Sequence, residues 1–219
     1  MNFPYEIRDP IYGFIYFNDW EREIINHPVF QRLRRIKQNA LTDFIYPGMN
    51  HTRFEHSLGV MKLADDMFNA IKTDKESMAR LEDWGISETG MERYRHLIRL
   101  AALLHDIGHP PFSHASEEIM PTDPKKDEEI KHEFYTAQLI NERMKKVVED
   151  HNMNRGIGIK AEHISSFFNG AVPNKDLLWK EIISSQLDAD RGDYLRRDSH
   201  HGGVKYGVYD LDRLIDTLA

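Results

Sequence analysis

Cysteine is absent from this 219-residue chain, which excludes disulfides and thiolate-bound metal. No apolar run approaches the roughly 20 residues that span a bilayer. The N-terminus MNFPYEIRDP lacks the basic segment and apolar stretch of a secretory signal. Together these absences favour a cytoplasmic protein with no membrane partner. A basic excess is lacking as well: 29 Lys and Arg face 36 Asp and Glu, for a formal net charge of −7. Such a balance argues against nonspecific nucleic-acid binding, although it leaves room for a local basic pocket. Strand signals are sparse. The best is IYGFIYF (residues 11–17), whose aromatic and β-branched residues allow a short N-terminal β-hairpin. There is no internal repeat and no long linker, so one all-α domain over residues 1–219 is the simplest organisation.

What the chain does have is helical periodicity and histidine. Hydrophobic residues make up 40% of it, enough for a sizeable core. Asp19 is placed to cap WEREIIN. Pro28 ends that helix and suits the first position of the next, VFQRLRRIKQ. HTRFEHSLGVMKLADDMFNAI has two apolar stripes, so it predicts a helix packed on two sides. MERYRHLIRLAALLH is almost wholly apolar from Leu97 to Leu104 and predicts a central helix, stopped by Gly108 and Pro110-Pro111. HEFYTAQLINERMKKVVE predicts an amphipathic helix, and KDLLWKEIISSQLDADRGDYLRRD one or two more. Loops are expected at residues 73–76, 87–90, 121–127, 152–158 and 169–174, with the charged run 123–129 solvated and mobile.

With no cysteine available, the 12 histidines are the natural metal-ligand candidates. The stretch LAALLHDIGHPPFSH ends an oily helix with His105-Asp106 and adds His109 and His114 just beyond it. A histidine with a carboxylate suits Zn, Fe, Mn and similar cations, and an ionised Asp in so apolar a setting needs a partner or a cation. Taken alone, the dipeptide reads as a hydrogen-bonded helix end. His56, on an apolar stripe of another helix, likewise reads as a satisfied core histidine. Asp188, Asp190, Asp193 and Asp198 would by themselves form a solvated acidic face. Yet Leu187, Tyr194 and Leu195 among them imply a packed helix with some carboxylates turned inward. Three such segments converging on one ion would leave coordination positions open for water and substrate. Arg32, Arg34, Arg35 and Lys37 read as a solvated basic face.

The order His56, His105-Asp106, Asp190 resembles the HD-domain phosphohydrolase superfamily. The blocks QRLRRIKQ, YPGMNHTRFEHSLGV, LLHDIGHPPFSH, KHEF and DADRGDYLRRDSHHGG resemble its deoxynucleoside triphosphate triphosphohydrolase branch, from about Asp9 to Asp212. The resemblance implies an all-α HD-domain helical bundle. It implies one divalent metal (Mn, Fe, Mg, Co, Ni or Zn) held by His56, His105, Asp106 and Asp190. His109, His114 and His132 would surround the phosphates, with His114 as general acid and Glu117 holding its other ring nitrogen. Arg53 and Arg191 would bind phosphate, and Gln38, Tyr194 and Asp198 the sugar.

The implied reaction is hydrolysis of a nucleoside triphosphate, a dNTP by analogy, to nucleoside and inorganic triphosphate. The implied assembly is a homo-oligomer. Two positions depart from the branch: Asn39 stands where an apolar residue is usual, and Arg191 replaces a lysine. Branch members also continue beyond the point matching Ala219, so residues 1–219 are expected to be the N-terminal catalytic part of a longer architecture. Two alternatives stay open. One is an HD phosphodiesterase or 5′-nucleotidase with a second ion on His109 and His132. The other is a nucleotide-sensing module without turnover.

Overall fold

An antiparallel hairpin of β1 (Tyr5–Asp9) and β2 (Gly13–Phe17) opens the computed structural model, which describes residues 1–123, 128–170 and 172–218. Tyr5 and Ile7 pack on the core while Glu6 and Arg8 face solvent, as a half-buried strand requires. Helix follows almost throughout. α1 (Asp19–Asn26) is capped by Asn18 and not by Asp19 as its sequence suggested: Asn18 Oδ1 accepts from Glu21 N–H at 2.9 Å, and Glu21 Oε2 accepts from Asn18 N–H at 3.0 Å. The strand-like backbone of Asn18 supplies this reciprocal box, and Asp19 instead accepts from the Tyr5 hydroxyl at 2.8 Å.

Pro28 does open α2 (Pro28–Gln31), but that helix is short. It tightens into a 3-10 segment, Arg32–Arg35, and turns extended at Ile36. The expected helical continuation to Gln38 is overridden because this stretch bridges to the entry of α3 (Arg53–Thr73), with Lys37 paired to Thr52 and Arg53 N–H donating to Ile36 O at 2.9 Å. The basic face also differs from expectation. Arg34 and Arg35 are exposed, but Arg32 turns inward and Lys37 pairs with Asp43 at 2.6 Å.

At residues 73–76 there is no loop: Asp74 ends α3 and caps α4 (Lys75–Asp83), accepting from Ser77 N–H at 2.7 Å. The loop expected at 87–90 is likewise the first turn of α5 (Glu88–Leu104). α5 buries Leu97, Ile98 and Leu100 to Leu104 completely or nearly so. Next come α6 (His132–Leu139), a π-helical segment Ile140–Met144, α7 (Lys145–Glu149), α8 (Ala161–Asn169), α9 (Leu177–Ile183), α10 (Ala189–Gly202) and α11 (Leu211–Asp216). The centre of the charged run 123–129 lies outside the described residues; its flanks pair as β3 (Thr122–Asp123) and β4 (Glu128–Glu129).

α3 is the axis of the fold, packed against α5 on one side and α10 on another. Its crossing with α10 is close because each helix presents a glycine. A Cβ on Gly59 would overlap the Asp193 carboxylate and the Arg197 guanidinium, and one on Gly192 would press into Leu63. Three helices that each carry a predicted ligand are thereby held in contact.

Candidate metal centre and phosphate pocket

His56 lies one turn into α3, His105 and Asp106 follow the last residue of α5, and Asp190 sits in the first turn of α10. Their side chains meet. His56 Nε2 is 3.3 Å from His105 Nε2, 3.0 Å from Asp190 Oδ1 and 3.6 Å from Asp106 Oδ2. His105 Nε2 is 3.3 Å from Asp106 Oδ1 and 3.8 Å from Asp190 Oδ1. Donors each about 2.1 Å from a common cation lie about 3.0 Å apart at right angles and about 3.4 Å apart at tetrahedral angles. The observed separations bracket those values.

The donor chemistry agrees. His105 Nδ1 is 2.8 Å from the Ala102 carbonyl, and His56 Nδ1 is 2.7 Å from Asp193 Oδ2. Both partners are acceptors, so each Nδ1 carries the hydrogen and each Nε2 turns its lone pair inward. Two lone pairs and two carboxylates then face one another, with His56, His105 and Asp106 buried and Asp190 at the more open edge, an arrangement that needs positive charge at its centre. Without a cation, a proton supplies it. Burial disfavours the His56 imidazolium, but hydrogen bonds to Asp190 and Asp193, with Asp106 nearby, push its pKa up to about 9. Burial likewise opposes ionisation of Asp106, yet Arg53, His105 and His109 hold its carboxyl well below the usual range.

The His105–Gly108 turn is fastened from two sides. Thr136 of α6 donates from Oγ1 to His105 O at 2.9 Å and accepts from Gly108 N–H at 3.0 Å. A side chain at Gly108 would collide with the His132 carbonyl and the Thr136 backbone. Arg32 donates to the Ile107 and His109 carbonyls at 2.6 and 2.8 Å.

A second cluster borders the first. His109 stacks on His132 with ring centroids 3.7 Å apart, and His114 meets both edge-on. Glu117 joins the latter two, accepting from His114 Nδ1 at 3.0 Å and His132 Nδ1 at 2.5 Å. These bonds outweigh partial burial and lower the Glu117 pKa to about 2. His109 is 1% exposed. Its Nε2 lies 3.2 Å from Asp106 Oδ1 but outside hydrogen-bond angles, so both ring nitrogens are buried without a hydrogen-bond partner. Burial lowers its pKa to about 3, against the pull of Asp106. Ligand atoms of His109, His114, Glu117 and His132 all fall within 4.8 Å of one another. Phe112 and Ser113, which lead into this segment, both adopt positive φ, 66° and 56°, an uncommon backbone for side-chain-bearing residues. The turn aims the Ser113 hydroxyl at the Arg53 guanidinium, which also pairs with Asp106.

One cavity of about 240 Å³ unites these groups. It is lined by Gln38, Arg53, His105, Asp106, His109, His114, His132 and Asp190, with Tyr194 and Phe168 among the walls. Gln38 is buried and its Oε1 has no partner. Two predicted residues stand apart. Arg191 is exposed and borders a different, largely apolar cavity. Asp198 is not among the cavity's lining residues; its Oδ1 accepts from His51 Nε2 and Asn39 Nδ2, both at 2.8 Å. Asn39, the unusual residue, thus has a polar partner. Sequence reading missed Asp193, Arg197, Thr136 and Arg32 as supports of the site. Asp193 and Arg197 stood in the DADRGDYLRRD block, where an inward-facing carboxylate was anticipated but not assigned.

The HD-domain family model matches residues 53–196, a span containing all four converging side chains. The chain belongs to the HD-domain family of metal-dependent phosphohydrolases. It is 39% identical to an uncharacterized protein of Methanocaldococcus jannaschii over 97% of this chain and 37% of that protein. It is 32% identical to the mouse deoxynucleoside triphosphate triphosphohydrolase SAMHD1 over 94% of this chain and 33% of that enzyme. A crystal structure of a hypothetical protein from Aquifex aeolicus, 33% identical, aligns with a TM-score of 0.74 over 97% of this chain and 50% of that one. The chain thus spans about a third to a half of the length of these relatives. Among the described residues, no helix is long and apolar enough to cross a membrane.

Proposed function

We propose that this chain hydrolyses deoxynucleoside triphosphates at the α-phosphorus, giving nucleoside and inorganic triphosphate. The observation that supports this best is the single cavity in which His105, Asp106 and Asp190, with His56 against them, face Arg53, His109, His114 and His132. A divalent ion held by those four ligands would neutralise phosphate oxygens and activate water. The chain's own groups do the rest. Arg53, fixed by Ser113 and Asp106, presents its guanidinium to phosphate. Neutral His109 has one ring N–H without a hydrogen-bond partner to offer the same anion. His114, exposed at the cavity mouth with Nδ1 fixed by Glu117, is positioned to protonate the 5′-oxygen as the bond to phosphorus breaks. Gln38 and Tyr194, on the walls of the same cavity, would hold the sugar, with Arg191 and Asp198 as further contacts that the substrate would have to draw in. The substrate preference, the homo-oligomer and the cytoplasmic location follow the branch resemblance and the 31% identity to the SAMHD1 homolog of Dictyostelium discoideum.

Incubation with each deoxy- and ribonucleoside triphosphate under Mg, Mn, Fe, Co, Ni and Zn tests the reading. Inorganic triphosphate plus nucleoside is the expected product pair; orthophosphate release would discard it. A second reading has one observation in its favour, the His109/His114/Glu117/His132 cluster beside the first. A phosphodiesterase or 5′-nucleotidase would use it for a second ion, and two equivalents of metal per chain would select that reading.

A further inference from the structure

A chain of buried charges runs from the metal cluster to the N-terminal hairpin. His56 Nδ1 donates to Asp193 Oδ2 at 2.7 Å. Asp193 in turn holds both arms of Arg197, Nε and Nη2, at 2.8 Å each. The remaining Arg197 nitrogen, Nη1, donates to Asp9 Oδ2 at 2.8 Å. Asp9 closes the hairpin turn with its other oxygen, Oδ1, which accepts from Ile11 N–H at 2.8 Å and Tyr12 N–H at 3.0 Å. Asp193 and Arg197 are completely buried, and Asp9 is 3% exposed. An ion pair so deeply buried gains little for folding over a well-packed apolar pair, so its retention asks for another reason. Its geometry supplies one: every polar atom of the guanidinium and of both carboxylates is directed, and the last link grips the ring of a ligand.

We propose that Asp9, Arg197 and Asp193 are positioning residues for the metal centre, so that the hairpin turn fixes the orientation and basicity of His56; the inference rests on the reading of His56 as a ligand. Asp193 keeps the hydrogen on Nδ1 and leaves Nε2 free for the cation. Arg197 prevents the Asp193 carboxylate from rotating away, and Asp9 prevents Arg197 from following it. Gly59 permits the contact, since any side chain there would occupy the space of Asp193 and Arg197.

The test is metal affinity of the whole chain, measured for Mn and Zn by competition with a chromophoric chelator, with thermal unfolding in parallel. Replacing Asp193 by Asn leaves an acceptor of the same shape but removes its charge; affinity should fall about 10- to 100-fold. Asp9→Asn, which touches no ligand, should weaken it by about three- to thirtyfold. Arg197→Lys should fall between wild type and Arg197→Met. Glu21→Gln disrupts a comparably buried pair with Arg99 elsewhere in the core and serves as the stability control; its affinity should stay within about twofold of wild type, as should that of any relay-independent variant. If Asp9→Asn and Arg197→Met bind metal as wild type does, the relay is refuted while the metal centre stands. If His56→Ala also binds as wild type does, the ligand reading fails and the relay with it.

Discussion

Thr136→Val is the most direct probe of how the site is built. The replacement keeps the shape of a completely buried side chain and removes only its hydroxyl. That hydroxyl donates to the His105 carbonyl and accepts from the Gly108 N–H, so both backbone groups lose their partner where solvent cannot replace it. Each orphaned buried group costs about 1–3 kcal/mol, and the added methyl returns about 1 kcal/mol. A net loss of about 3 kcal/mol lowers Tm by about 6–12 °C in a chain of this length. Because the strained atoms belong to the turn that presents His105, Asp106 and His109, turnover should drop more than folding does, by about 100-fold for a displacement near 1 Å. Thr136→Ser keeps both hydrogen bonds and should lose no more than about 1 kcal/mol. Calorimetry of the three proteins at equal metal loading decides the matter. A valine variant melting within 2 °C of wild type, or melting above the serine variant, would refute the role assigned to Thr136.

The raised His56 pKa sets a pH signature. Below its unfolded value near 6.5 the imidazolium contributes its full stabilisation to the metal-free protein, and the contribution disappears as pH rises through about 9. A cation must displace that proton, so metal affinity should rise about tenfold per pH unit toward 9; a flat profile between pH 6 and 9 would contradict it. Arg99→Met should destabilise by about 3–5 kcal/mol in urea titration, because Glu21, 1% exposed, loses its only cationic partner among the described residues while Asp65 keeps Arg95. His105→Ala combined with Asp106→Ala should abolish bound metal by elemental analysis; full occupancy would exclude the ligand set. His114→Ala should retain metal and lose at least about 100-fold in turnover, whereas unchanged turnover would take the acid role from it.

The meeting of His56, His105, Asp106 and Asp190 was legible through the resemblance of their order to the HD superfamily; residue by residue they read as a core histidine, a helix-end pair and an acidic face. α3 and α5 were legible because their apolar patterns demand burial on more than one side. The capping of α1 was misplaced by one residue, since Asn18 and Asp19 are both competent caps and only the end of β2 selects between them. The extended turn at Ile36 could not be read locally; it follows from the pairing of Lys37 with Thr52, 15 positions along. Arg32 looked like part of a solvated face because nothing near it in sequence announces the Ile107 and His109 carbonyls. Asp193 and Arg197 were hidden for a similar reason. Their i,i+4 spacing reads as an ordinary surface pair, and only the glycine at position 59 shows that a neighbour approaches too closely for solvent.

That glycine crossing bears on how rigid the pocket is. With Gly59 against Asp193 and Arg197, and Gly192 against Leu63, there is little slack for α10 to slide along α3, and Asp190 would travel with it if it did. The floor of the pocket is therefore a fixed pavement, assembled once during folding. The rim is different: the positive-φ backbone at Phe112 and Ser113 leads to His114, exposed at the opening.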